Sequence, residues 1–201
     1  FCLEHEITII SDEIHSDLVL PGYKHTVLAS VSKELEQNMI VCNAPSKTFN
    51  IAGIPASNVI IANENLLSAY RWVLRESGLA LPNVFAVTAV EAAYTYGEAW
   101  LDELLLYLEE NYRLAAGYLA ERIPEIKLVE PEGTYLLWLG FRGLGFNDEE
   151  LDSFIKEKAR LLLGPGPIFG TGGSGFQRMN IACPRSRLME ALERLEKVVR
   201  E

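Results

Sequence analysis

The chain has 201 residues, 49% of them hydrophobic, with 28 acidic residues against 18 basic ones and a formal net charge of −10. That length suits one large domain or one and a half small ones, with ample material for a core. The acidic balance argues against nucleic acid or an anionic membrane surface as partner, because both are bound through basic patches, and no apolar run reaches the ~18 residues that span a bilayer.

The three cysteines, Cys2, Cys42 and Cys183, are odd in number and widely spaced, with neither CxxC nor Cys/His metal spacing. They read as reduced, partly buried thiols of a cytoplasmic protein, with no disulfide framework and no metal site. No basic-then-apolar signal segment opens the chain. Residues 1–6 read instead as the end of an amphipathic helix running into a strand, so the chain is expected to start inside a larger fold.

Ile7-Thr8-Ile9-Ile10 is a short β-branched run ending in Ser11-Asp12-Glu13-Ile14-His15, the pattern of a buried parallel strand with polar residues at its carboxyl end. Ligands of open α/β sheets collect at that end. Asp12 and His15 are there either as a cap and a loop residue or as groups facing a cofactor. After Pro21-Gly22, residues 27–37 mix apolar and polar positions as a helix does, and residues 39–43 form the next strand, giving a βαβ unit.

Ser46-Lys47 follows that strand in a turn of small and polar residues. Lys47 is either a solvated loop lysine or, if desolvated beside partners, a nucleophile able to form a Schiff base with an aldehyde. Residues 59–62 read as a further strand, and residues 64–77 as a helix stopped by Gly78. Residues 84–96 are small and apolar, as in a helix buried against another surface such as a second subunit. The stripe Trp100, Leu101, Leu104, Leu105, Leu108, Tyr112, Ala115 and Leu119, spaced three and four apart, is the packing face of a long helix.

The architecture changes after Pro124. Residues 126–129 and 135–139 read as strands joined around Pro131-Glu132-Gly133. Asn147 and Glu150 fit a capping box opening a helix to about residue 158. Residues 161–163 and 179–182 read as strands and 186–200 as a closing helix, which makes a small α+β domain. The expected division is 1–122 and 123–201. Glycine concentrates in residues 164–175, without the Gly-Lys-Ser/Thr ending of a phosphate loop, and leads into Arg178-Met179-Asn180. That loop is either a mobile surface segment or the approach to a site at Arg178.

Taken in order, Asp-x-x-His after a strand, Ser-Lys after the next and Arg-x-Asn near the end form one set. The chain resembles the fold-type I pyridoxal-phosphate enzymes of the class I/II aminotransferase superfamily. More narrowly, Ser11 to Gly22 and Ser46 to Gly53 resemble the MalY/PatB group, the cystathionine β-lyase-like C–S lyases, and Pro131 to Trp138 and Arg178 to Arg185 fit it too. The fold implied is α/β: the C-terminal part of the cofactor-binding large domain, with a mixed, mostly parallel sheet, followed by the small α+β domain.

The resemblance implies pyridoxal 5'-phosphate as cofactor. Lys47 would bond its aldehyde and later move the substrate's Cα proton. Asp12 would sit against the pyridine nitrogen and keep it protonated. By the same resemblance His15 would take the place of a tyrosine that most aminotransferases of the superfamily carry near the ring hydroxyl, Ser46 could donate to the phosphate, and Arg178 would bind the substrate carboxylate with its guanidinium fork. The partners implied are an amino-acid substrate and, in the full-length form, a second copy of the chain.

Two departures stand out. Where many aminotransferases carry a phosphate-binding arginine, this chain has Pro55. The family's first half, with its glycine-containing phosphate cup and stacking aromatic ring, is also absent, so residues 1–201 alone are expected to bind the cofactor weakly or not at all. The reading implied for the full-length form is a C–S β-lyase giving a thiol, ammonia and a keto acid. The alternatives are an aminotransferase and, from another class, a non-catalytic piece with a structural or associative role.

Overall fold

The computed structural model describes residues 1–79 and 81–201, and the chain falls into two units, 1–104 and 105–201. In the first, strand β1 (Ile9–Asp12) runs parallel to β2 (Met39–Asn43), with Ile9 opposite Met39 and Asp12 opposite Cys42. A 3-10 turn at Leu28–Ser30 and a short helix α1 (Lys33–Glu36) lie on the crossover between them. Beyond β2 come α2 (Pro45–Thr48) and β3 (Asn58–Ile60), which pairs antiparallel with β2. The sheet is therefore mixed, in the order β1-β2-β3. Buried Leu18, Leu20, Met39, Val41, Ala44, Ile61 and Ala86 form the apolar interior of this unit.

Polar caps set the helix starts. Asn63 accepts from the N–H groups of Asn65 and Leu66 to open α3 (Glu64–Glu76), and Asn83 accepts from Phe85 to open α4 (Val84–Tyr96). The single helix expected over residues 27–37 is broken, because the Ser32 hydroxyl accepts from the Leu35 N–H at 3.1 Å and starts a new helix there. Residues 2–6 are turns closed by an Ile7 N–H to Cys2 carbonyl bond of 2.8 Å, and not the end of a helix. Helix α4 matches its expected span, yet Ala86 alone of its residues is buried, while Val84, Phe85 and Tyr96 are exposed.

The division between the units falls within the long helix α5 (Glu98–Arg122), 18 residues before the boundary expected from the change of pattern at Pro124. The second unit holds an antiparallel sheet in the order β4-β5-β7-β6, from β4 (Lys127–Val129), β5 (Leu136–Gly140), β6 (Gly164–Pro165) and β7 (Phe176–Asn180). Alternation puts Leu137, Leu139, Gln177 and Met179 on the buried face and Trp138 and Arg178 on the other. The buried face packs with Leu119 of α5 and Ile123 just after it, Leu151 of α6 (Asp148–Ser153), and Leu188, Leu192 and Leu195 of α7 (Arg185–Arg200). Each such leucine stabilises the fold by about 1.5–3 kcal/mol. Asn111, buried in α5, donates to the carbonyls of Ile181 and Cys183 at 2.9 and 3.2 Å and so fixes the turn between β7 and α7.

The capping box at Asn147 and Glu150 forms as the sequence indicates, with both reciprocal bonds made, and α6 continues into a π-helical turn at Phe154–Lys158. Residues 161–163 are not a strand. Arg160 takes a left-handed φ of 53° that turns the chain, Leu162 is left 87% exposed, and the ladder is completed by Gly164 and Pro165 opposite Arg178 and Gln177.

Candidate active site

Strand β1 delivers Asp12 at its carboxyl end, where the side chain is exposed and Oδ1 accepts the Ile14 N–H at 3.1 Å. This local turn holds the carboxylate at the strand end. The neighbouring parallel strand β2 ends at Asn43. Extended Ala44 and then Pro45 at the first helical position start α2, which carries Ser46 and Lys47, both half-buried. Lys47 thus stands on a short helix and not in an irregular loop, and Asn50, with φ 54°, ends that segment in the left-handed conformation asparagine tolerates. Among the described residues Lys47 makes no ion pair.

Polar ties brace this corner. Buried Thr48 donates its hydroxyl to Asp17 Oδ2 at 2.9 Å, Asn43 Nδ2 donates to Ser16 Oγ at 3.1 Å, and the Tyr94 hydroxyl reaches Asn43 Oδ1 at 3.4 Å. The Phe49 ring meets Tyr94 edge-on at 5.6 Å and lies 6.0 Å from Trp100. Burial and then the Asp12 charge push the Cys42 thiol above its ordinary pKa, and burial and then the Asp17 charge do the same to Tyr94. His15 is half-buried and engaged with neighbours.

The motif spacing does not mark Glu13, yet it is the one buried charged residue among those described. Its carboxylate accepts from Ser11 Oγ at 3.0 Å and the Leu28 N–H at 3.1 Å, and lies 2.9 Å from His25 Nε2. Burial alone would raise its pKa, but the bonds from His25, Leu28 and Ser11 outweigh that and hold it below the ordinary glutamate range. Strand parity carried a signal: Ile9 and Ser11 face inward while Ile10 and Asp12 are exposed, so Glu13 continues the inward face. The Asp17–Thr48 tie had no such local signal, because it joins residues 31 apart.

Asp12 thus ends β1, His15 follows three residues on, and Ser46 and Lys47 stand on α2 just beyond the end of the parallel neighbour β2, all in the first unit. Arg178 belongs to the second unit, on the outward face of β7, where it is half-buried and makes no ion pair among the described residues. Its guanidinium carbon lies 4.3 Å from the centre of the Phe169 ring.

An α/β sheet with an aspartate at one strand end and a lysine just beyond the next, and an α+β unit carrying an arginine without an ion pair among the described residues, describe one class of protein. The chain belongs to the aminotransferase class I and II family, whose model matches residues 1–195. It is 45% identical over 195 residues to cystathionine beta-lyase PatB of Bacillus subtilis (strain 168), covering 97% of this chain and 50% of that protein. It is 35% identical over 200 residues to protein MalY of Escherichia coli (strain K12), covering 99% of this chain and 50% of that protein. The crystal structure of cystalysin from Treponema denticola, which contains pyridoxal 5'-phosphate, superposes with a TM-score of 0.94 at 38% identity, over 99% of this chain and 50% of that one. The chain spans about half the length of the curated relatives it matches.

The donor set fits that cofactor. A half-buried amine without a counter-ion suits an aldehyde, and a carboxylate held at the next strand end suits a pyridine nitrogen. Among the described residues no group of three or more His, Cys, Asp or Glu side chains is arranged to hold a metal ion, and no helix is long and apolar enough to cross a membrane.

Proposed function

We propose that the protein carrying this chain is a pyridoxal-phosphate-dependent C–S β-lyase, releasing a thiol, ammonia and a keto acid from a sulfur-bearing amino acid. The observation that carries the reading is that Asp12 ends β1 while Lys47 stands on α2, just after the parallel strand β2, in a chain 45% identical to a cystathionine beta-lyase. When bound, the cofactor supplies an electron sink for the carbanion at the substrate's Cα.

The chain's own residues do the rest. Asp12 holds a proton on the pyridine nitrogen and Ser46 donates to the phosphate, while His15 stands near the ring hydroxyl. The Lys47 amine anchors the cofactor and, once freed, takes the proton from Cα. As the pair left on Cα closes a Cα–Cβ double bond, the thiolate leaves Cβ with the electron pair of the C–S bond and takes the proton back from the Lys47 ammonium. The released enamine, as its imine, is then hydrolysed by water to the keto acid and ammonia. Arg178 takes the substrate carboxylate between its N–H donors. Residues 1–122 then serve the cofactor and residues 123–201 the substrate carboxylate. A homodimer in the cytoplasm is the proposed working form, supported by the exposed apolar residues of α4.

Aminotransfer is the second reading, favoured by the name of the matching family. Full-length protein incubated with cystathionine is expected to produce pyruvate and ammonia without an added keto acid. Lys47→Ala is expected to abolish both this and the bound cofactor's visible absorbance band. Amino transfer that depends on a keto acid, with no pyruvate and ammonia formed, would refute the lyase reading.

A further inference from the structure

Arg178 is a half-buried cation whose guanidinium carbon lies 4.3 Å from the centre of the Phe169 ring. A carboxylate beside it would neutralise the guanidinium and occupy the N–H donors that an incoming anion needs. Phe169 does neither: the quadrupole of its face attracts the cation while the donors in the guanidinium plane stay available.

The ring is itself held. It packs edge-on against Trp138 at 5.5 Å with an interplanar angle of 78°. Trp138 is the cross-strand partner of Arg178, and it stacks on Phe176 at 5.3 Å with an angle of 10°. The glycine-rich loop carrying Phe169 is built, too. The backbones of Gly166 and Gly173 touch so closely that a Cβ on Gly166 would lie 1.9 Å from the Gly173 carbonyl oxygen. Arg142 Nε donates to the Ser174 carbonyl at 3.0 Å, and the Gly175 N–H donates to Asp148 at 2.8 Å.

We propose that Phe169 is a positioning residue for carboxylate recognition, its ring fixing the direction in which the Arg178 guanidinium presents its paired N–H donors. The inference rests on the reading that Arg178 binds the substrate carboxylate. Trp138 and the braced loop fix the ring, and the ring fixes the arginine. The substrate class this favours is the free α-amino acid, whose planar carboxylate matches two parallel donors.

The test uses the full-length holoprotein with Phe169→Leu, which keeps apolar bulk, Phe169→Tyr, which keeps the ring, and Arg178→Lys. Steady-state kinetics with S-methyl-L-cysteine are read alongside calorimetric titration with 3-(methylthio)propionate, a carboxylate that lacks the reacting amine. Phe169→Leu is expected to raise both KM and the dissociation constant about tenfold, in line with cation–π attraction at a partly desolvated site, with kcat changed less than about threefold. Phe169→Tyr is expected to stay near wild type, and Phe169→Leu to add less than about twofold in the Arg178→Lys background. If Phe169→Leu misfolds, Phe169→Met replaces it. Unchanged KM in Arg178→Lys would sink the underlying reading. A raised KM in Arg178→Lys with none in Phe169→Leu would overturn the positioning role alone, as would an equal effect of Phe169→Leu in both backgrounds.

Discussion

The hydroxyl of fully buried Thr48 donates to Asp17 Oδ2 at 2.9 Å, and this one bond joins the residue after Lys47 to the segment that leaves β1. Lys47 sits on a helix of only four residues, which has little rigidity of its own. Its place relative to Asp12 therefore depends on such side-chain ties. Thr48→Val keeps the shape and removes the donor, leaving the Asp17 carboxylate short of a partner. The expected loss is about 1.5–3 kcal/mol, the worth of a hydrogen bond to a charged group. Urea unfolding measures it, and a variant within about 0.5 kcal/mol of wild type would show that the tie is idle.

Glu13 gives the first unit an acid-sensitive brace. Its pKa is lowered in the folded chain, so its contribution is fully present above the unfolded value of about 4.3 and is lost as the pH falls through the folded one. Glu13→Gln keeps the size but turns an amide donor toward the His25, Leu28 and Ser11 donors. It should cost about 1–3 kcal/mol near neutral pH and flatten the decline in stability below about pH 4.3. Unfolding midpoints measured across that range decide the matter; an acid limb parallel to wild type would remove Glu13 as its source.

Gly97, between α4 and α5, has no room for a side chain. A Cβ there would lie 2.4 Å from the Ala93 carbonyl oxygen and 2.4 Å from Phe49 Cε1. The carbonyl is backbone and cannot swing aside, so Gly97→Ala should destabilise by about 1–3 kcal/mol. The displaced Phe49 ring would also disturb its contacts with Tyr94 and Trp100. Thermal unfolding reports the first effect and near-ultraviolet circular dichroism the second.

The parts of the fold legible in the sequence are those written in long local patterns. Helix α4 and the capping box at Asn147 and Glu150 were readable because caps and periodicity act within a few residues. Residues 161–163 misled because an apolar run says nothing about which backbone it will pair with, and the ladder chose Gly164 and Pro165. The same distinction holds at the candidate site. Asp12 ends one strand and Lys47 stands just beyond the next, so both could be found by walking along the chain. Thr48 with Asp17, Glu13 with His25, and Phe169 over Arg178 are meetings that only tertiary packing arranges.

Gly166 and Gly173 face each other so closely that a Cβ on either would fall within 2.0 Å of the other's carbonyl oxygen. Reciprocal obstruction of this kind defeats compensation: changing one glycine opens nothing for the other, so no second substitution at its mate can rescue the first. Gly172, between them, has nothing within 4 Å of where its Cβ would stand. The loop is thus open to evolutionary drift at Gly172 and closed to it at its neck, and the aromatic ring it carries inherits the fixity of the neck.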